Sequence, residues 1–298
     1  MDYTVDNYQE MFLKRVLDTR EQQAAALKCK DIIKYKTKTT VSGPMLECEI
    51  YPIWKTSKKS IREKVRKESR KVQKNLNNKN AVKRVIRLIN TNFNNNGIWG
   101  TFTYSNDRLP SSEEQAKKDM QNYIRRLKRY IEREGLEPLK YIYVTEYSEG
   151  KRVHHHIVMN FKDRETAEKL WKNGGRTQTR RLQQDDYGLE GMARYITKQK
   201  KDSKRYCCSR NLEKPKVYEA YSKFTKRRAE KIASDPNSTK VLFEKMYPKY
   251  IFKDIDIKYS DFVSGCYIYA RMRNYMGDKN YKAKITRVFV DKEKHQTA

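Results

Sequence analysis

The sequence predicts an α+β fold, a small antiparallel sheet with helices on one face, and three observations lead there. Apolar periodicity alternates between two and 3.6 residues, in the order strand, helix, strand, strand, helix, strand, helix, from Trp99 to Lys200. Two of those strands, 140–147 and 152–159, are separated only by Ser-Glu-Gly-Lys, which makes them a hairpin. The chain is 298 residues long, ample for a buried core. This element order is close to the ferredoxin-like, RRM-like split β-α-β plan.

Along the chain, residues 1–30 place Phe12, Leu13, Val16 and Leu17 at helical spacing, and the pattern continues through Ala24 to Leu27. Residues 41–54, VSGPMLECEIYPIW, read as one or two short strands. From Lys55 to Arg87 fourteen basic residues face two acidic ones, Glu63 and Glu68. Ile61, Val65, Val72 and Leu76 recur there at helical spacing, so one face packs and the remainder presents cations. Lys64, Lys67, Arg70, Lys71, Lys83, Arg84 and Arg87 are the candidates for contacting a nucleic-acid backbone. The plainer alternative is a solvated basic helix, or one that touches a partner protein.

Trp99–Tyr104, aromatic and β-branched, reads as a strand, with Phe102 and Tyr104 as candidates for stacking on bases. Ser111 or Ser112 caps the next helix, with Glu114 or Gln115 as capping partner, and that helix stops near Gly135 and Pro138. After the hairpin come a helix over 163–171, a strand over 177–183 and a helix over 187–200. The remainder, 206–298, holds a basic helix around Tyr218–Ile232 and a tyrosine-rich stretch, DFVSGCYIYARMRNY, and reads as a second structural unit. Three parts are therefore expected: a basic, mainly helical N-terminal region (1–92), a core (93–205) and a C-terminal accessory region (206–298).

Charge narrows the function. Lys and Arg number 67 against 37 Asp and Glu, a formal net charge of +30. A polyanion offsets that self-repulsion most naturally, nucleic acid ahead of an acidic membrane. No stretch approaches the roughly 18 uninterrupted apolar residues of a membrane helix, and the first residues lack the basic and apolar runs of a signal peptide. The five cysteines form no CxxC pair, which argues against a disulfide framework or a zinc ladder. No GxxxxGK[ST] run is present, so the chain carries no P-loop motor.

Chemistry concentrates in the hairpin. Three of the four histidines are consecutive, His154, His155 and His156. In a strand His154 and His156 share a face, roughly 7 Å apart at the backbone, and His155 points away. Glu146 on the preceding strand joins them if a three-residue loop, Ser148–Gly150, pairs Glu146 with Arg152; a two-residue turn sends it to the other face. Two imidazoles and a carboxylate suit a divalent ion such as Mn²⁺ or Mg²⁺ with positions left for phosphate oxygens. Tyr195 stands on a helix with Lys198 and Gln199 on the same face. A phenol is a poor nucleophile at its ordinary pKa of about 10, and a nearby ammonium together with a metal favours its attack on phosphorus.

Together these residues resemble the HUH endonuclease superfamily, in particular its single-tyrosine replication initiators from plasmids and small phages. FTYS (Phe102–Ser105) is similar to the family's first motif, VHHHIVM (Val153–Met159) to its histidine-hydrophobic-histidine motif, and YITK (Tyr195–Lys198) to its YxxK motif. Residues 77–93 also resemble the segment before the first strand in plasmid-type initiators of Gram-positive bacteria and their phages. His155 departs from the apolar middle position, which leaves a different ligand pairing open, and Gln199 stands where two-tyrosine enzymes carry a second tyrosine.

The resemblance implies an HUH endonuclease topology with Tyr195 as nucleophile, Lys198 as its helper and His154, His156 and Glu146 on a divalent ion. It also implies nicking and joining of single-stranded or hairpin origin DNA through a 5′-phosphotyrosine. A host helicase and DNA polymerase would be the partners, in the cytoplasm of a bacterial host. A relaxase or single-tyrosine transposase, and a non-catalytic RRM-like nucleic-acid-binding protein, are the alternative readings. Nothing in the sequence indicates an oligomeric state.

Overall fold

The computed structural model describes residues 32–54, 69–147, 152–197, 206–259 and 265–275. In chain order the elements are β1 (Ile32–Ser42), β2 (Met45–Trp54), α1 (Ser69–Asn92), β3 (Ile98–Thr103), α2 (Glu113–Arg133), β4 (Tyr141–Glu146) and β5 (His154–Met159). They continue with α3 (Arg164–Lys169), β6 (Thr177–Arg181), α4 (Glu190–Thr197), β7 (Cys207–Cys208), β8 (Lys216–Ala220), α5 (Lys226–Ser234), α6 (Pro236–Met246), β9 (Ile251–Tyr259) and β10 (Cys266–Arg273). The architecture is α+β, and the chain forms two compact units, one spanning 63–216 and the other joining 1–62 to 217–298.

The second of these units is built on a five-stranded sheet in the order β8-β1-β2-β10-β9. Ser42 pairs with Met45 across a two-residue turn, where Gly43 takes a positive φ of 55° that a side chain would resist. Leu46, Cys48, Ile50, Ile268 and Met272 form its core with Phe224 and with Ala229 and Ile232 of α5 and Phe243 of α6.

The 63–216 unit carries the motifs. Its sheet has the order β6-β3-β5-β4-β7 with every neighbouring pair antiparallel. β3 and β4 both flank β5, and α2 makes the crossover between them. The Ser112 hydroxyl caps α2 by accepting from the Gln115 N–H at 3.1 Å. At the other end Gly135, at φ 61°, lets the Leu136 N–H reach the Ile131 carbonyl at 2.9 Å, and the helix stops.

Period-2 alternation divides this sheet into two faces. One carries Phe102, Tyr143, Ile157 and Met159 against Met120, Tyr123, Ile124 and Leu127 of α2 and Trp171 beyond α3. The other carries Ile142, Val144 and Val158 against Val85, Ile89 and Phe93 and against Leu189, Ala193 and Ile196 around α4.

Several expectations are corrected. Helices cover both faces of the sheet, because each strand alternates two apolar sets and both need burial. Strand structure begins at Ile32, since the 41–54 strand finds an antiparallel partner over its whole length. The helix expected over 218–232 begins as β8, whose KVYEA suits an edge strand, and only Lys226–Ser234 is helical. The expected three-part division does not coincide with the compact units. α1 shares a core with β4 and β5, and the chain after 216 pairs with its N-terminal hairpin. The helix expected over 1–30 lies outside the described residues.

Candidate metal centre and nucleophile

β4 and β5 pair so that Glu146 stands opposite His154, Thr145 opposite His155 and Val144 opposite His156. The expected pairing of Glu146 with Arg152 is thus off by two residues, because the connection is longer than three. A two-residue slip preserves the face, and Glu146, His154 and His156 converge as their spacing predicts.

Their potential ligand atoms lie within 4.8 Å of one another. Glu146 Oε2 is 3.0 Å from His154 Nε2, and Oε1 is 3.5 Å from His156 Nε2. Two atoms about 2.1 Å from one ion and at right angles stand about 3 Å apart, so the trio fits one face of an octahedral divalent ion. The outer nitrogens are held: His154 Nδ1 is 3.0 Å from the Arg152 carbonyl, and His156 Nδ1 is 3.0 Å from Thr101 Oγ1 on β3. The carbonyl takes the His154 N–H, and a hydroxyl acceptor at Thr101 does the same for His156. Both Nε2 lone pairs then turn inward.

His156 supplies the test of fit. Its Nε2 is buried and makes no hydrogen bond, an arrangement that costs free energy unless something else engages the lone pair. Burial, followed by the charge of His154, pushes its pKa down to about 4. The ring is therefore neutral, as a metal ligand must be.

His155 faces the other way and is fully buried. Its Nε2 lies 2.8 Å from the Tyr104 hydroxyl and its Nδ1 2.9 Å from Thr145 Oγ1. A neutral imidazole has one N–H and one lone pair, and hydroxyls satisfy both. Burial and then its two histidine neighbours push its pKa down to about 3. The different ligand pairing that His155 left open is excluded, since its ring is on the far side of the sheet.

Tyr195 reaches the site from α4. A short helix is marginal by itself, but Leu189, Ala193 and Ile196 bury one side of it. Asn90 of α1, itself buried, accepts the Leu189 N–H at 2.8 Å. The opposite side presents Tyr195, 53% exposed. Its ring stands edge-on to His156 at 5.1 Å between centroids and to Trp99 at 5.8 Å, while Trp99 stacks on His156 at 5.1 Å and 9°. An aromatic corner thus places the phenol beside the ligand trio. Lys198 lies outside the described residues.

Phe102 and Tyr104 are corrected. Both are fully buried on the His155 side, packed with Tyr123 and Trp171, so no base can stack on them. Of the basic candidates, Lys64 and Lys67 lie outside the described residues, and Arg70 and Lys71 are placed only as positions on α1. Arg84 is exposed and Lys83 and Arg87 half-buried, on the helix whose Val85 and Ile89 pack the site face.

Trp99 and Thr101 were missed as site residues, as were Gln178 and Arg180 on β6. In register Gln178 lies beside Thr101 and Arg180 beside Trp99. Alternation in WGTFTY separates Trp99 and Thr101 from Phe102, but only the pairing with β5 shows which set joins the ligand trio.

Residues 97–200, from the loop before β3 to just past α4, match the model of a family of replication-associated proteins typified by ORF2. No curated protein and no solved structure matches the chain.

Proposed function

Since residues 97–200 match the replication-associated ORF2 family, a family of rolling-circle replication initiators, we propose that this chain is a divalent-metal-dependent HUH endonuclease that nicks and rejoins single-stranded origin DNA. The observation that carries the reading is the meeting of Glu146, His154 and His156 with Tyr195 on one face of one sheet. The strand order, with β3 and β4 flanking β5, supports the ferredoxin-like plan.

Glu146, His154 and His156 would hold Mn²⁺ or Mg²⁺, which supplies charge neutralisation at the scissile phosphate. Thr101 and the Arg152 carbonyl keep the two imidazoles oriented. The Tyr195 oxygen bonds to phosphorus and the bond from phosphorus to the 3′-oxygen breaks. The phenol loses its proton, the 3′-oxygen gains one, and a 5′-phosphotyrosine and a free 3′-OH result. Lys198, one helical turn on, is the proposed helper. Attack by a 3′-OH on the phosphotyrosine reverses the sequence and joins the strand.

Lys64, Lys67, Arg70, Lys71, Lys83, Arg84 and Arg87 would contact the DNA backbone, giving salt-sensitive, sequence-poor affinity. A host helicase and polymerase would unwind and extend from the nick. The RRM-like alternative loses support with Phe102 and Tyr104 buried.

The test is a denaturing-gel search for a covalent adduct with end-labelled single-stranded oligonucleotides from the protein's own replicon, with and without Mn²⁺. A metal-dependent adduct on the 5′ end of the downstream fragment is expected. Tyr195→Phe should abolish it while changing DNA affinity by less than about twofold. An equal yield from the variant removes Tyr195 as nucleophile.

A further inference from the structure

Beside the ligand trio, away from β4, the site face ends in an open groove of about 430 Å³ between β3, β6 and α4. Trp99 and Thr101 lie along it next to Tyr195, Met192 and Leu189 supply an apolar wall, and Gln178 and Arg180 are its polar groups on β6. Pairing across three strands puts Gln178, Thr101 and His156 in one row, so Gln178 stands about 10 Å from the ligand histidine at the backbone. Both Gln178 and Arg180 are exposed. No hydrogen bond or ion pair engages either among the described residues, unlike Arg181, which donates to the Asn96 carbonyl at 3.0 Å.

The chemistry is mixed in a particular way. An apolar wall accepts a flat ring, a primary amide donates and accepts at once along a base edge, and a guanidinium pairs with phosphate. No carboxylate lines the groove; Glu190, the nearest acid on α4, is engaged by Arg194 at 2.8 Å. We infer that this groove is a subsite for one unpaired nucleotide of the substrate strand, next to the phosphate that Tyr195 attacks. Gln178 reads the base edge and Arg180 holds the backbone. The inference rests on the nuclease reading for its substrate, and it adds a source of sequence preference that the basic helix does not supply.

The test is a walk of single base-lacking positions across the cleaved oligonucleotide, scored by nicking and, in the Y195F variant, by equilibrium binding anisotropy. One position beside the nick should lower wild-type kcat/KM and Y195F affinity by about tenfold or more. The same gap should cost Gln178→Ala less than about twofold further, because the contact is already gone. Arg180→Ala should weaken binding to all oligonucleotides alike and reduce the salt slope by about 0.7. Uniform tolerance of gaps at every position, or a full tenfold loss persisting in Q178A, overturns the subsite. Wild-type protein that forms no adduct but keeps the position-specific binding loss would overturn the nuclease reading and leave the subsite standing.

Discussion

The two faces of the sheet in the 63–216 unit use the same residue types for opposite ends. On one face His154 and His156 turn their Nε2 atoms toward Glu146, and the buried Nε2 of His156 has no hydrogen-bond partner. On the other, His155 has both nitrogens matched by hydroxyls. Trp99 borders an open groove, whereas Phe102, three residues on, is sealed against α2. Adjacent residues of one strand thus differ in whether their polar capacity is spent inside the fold or held for something outside it. An incomplete set of hydrogen bonds on a rigid support is what a binding site needs and what a core avoids.

Substitutions on each face should separate these roles. The largest effect is expected from His156→Ala, which removes a ligand. Mn²⁺ affinity measured by calorimetry should fall by more than the roughly 10- to 100-fold typical of an outer partner, with nicking lost in parallel. Retained affinity would mean that the ion sits elsewhere. Phe102→Ala should cost about 4 kcal/mol in denaturant unfolding through the cavity it leaves, while the protein still folded keeps its DNA affinity; a selective loss of DNA binding would return Phe102 to the base-stacking role.

His155→Ala should cost about 2–3 kcal/mol, since it strands the hydroxyls of Tyr104 and Thr145 in the core. Metal affinity should stay within about threefold under conditions where the variant is folded. A large drop in metal affinity at unchanged stability would contradict the division between the faces. The smallest effect belongs to Thr101→Val. Losing the acceptor that orients His156 should weaken metal binding by about tenfold with little change in stability, and Thr101→Ser should restore it.

Much of the site was legible because it is local. HxH at period two, a carboxylate across a hairpin and a tyrosine on the following helix need only strand alternation and helical spacing, so Glu146, His154, His156 and Tyr195 meet as expected. Even a two-residue error in the hairpin register left Glu146 on its face. The aromatic residues were different. Phe102 and Trp99 have the same chemistry and nearly the same position, and no local rule says which one faces the histidine pair. That depends on Thr101 pairing with His156 and Phe102 with His155, across more than fifty residues. β8 was misread as part of a helix for a similar reason, since its partner strand is β1, at the opposite end of the chain.

By itself, then, the sequence determined the charge, the order of elements around the hairpin and the identity of the candidate ligands and nucleophile, all set by short-range periodicity and residue chemistry. The tertiary structure decided that helices cover both faces, that Phe102 and Tyr104 belong to the core, that Trp99, Gln178 and Arg180 border the site, and that the two ends of the chain share a sheet. Those outcomes depend on which distant surfaces bury one another, and burial is a property of the packed whole rather than of any segment.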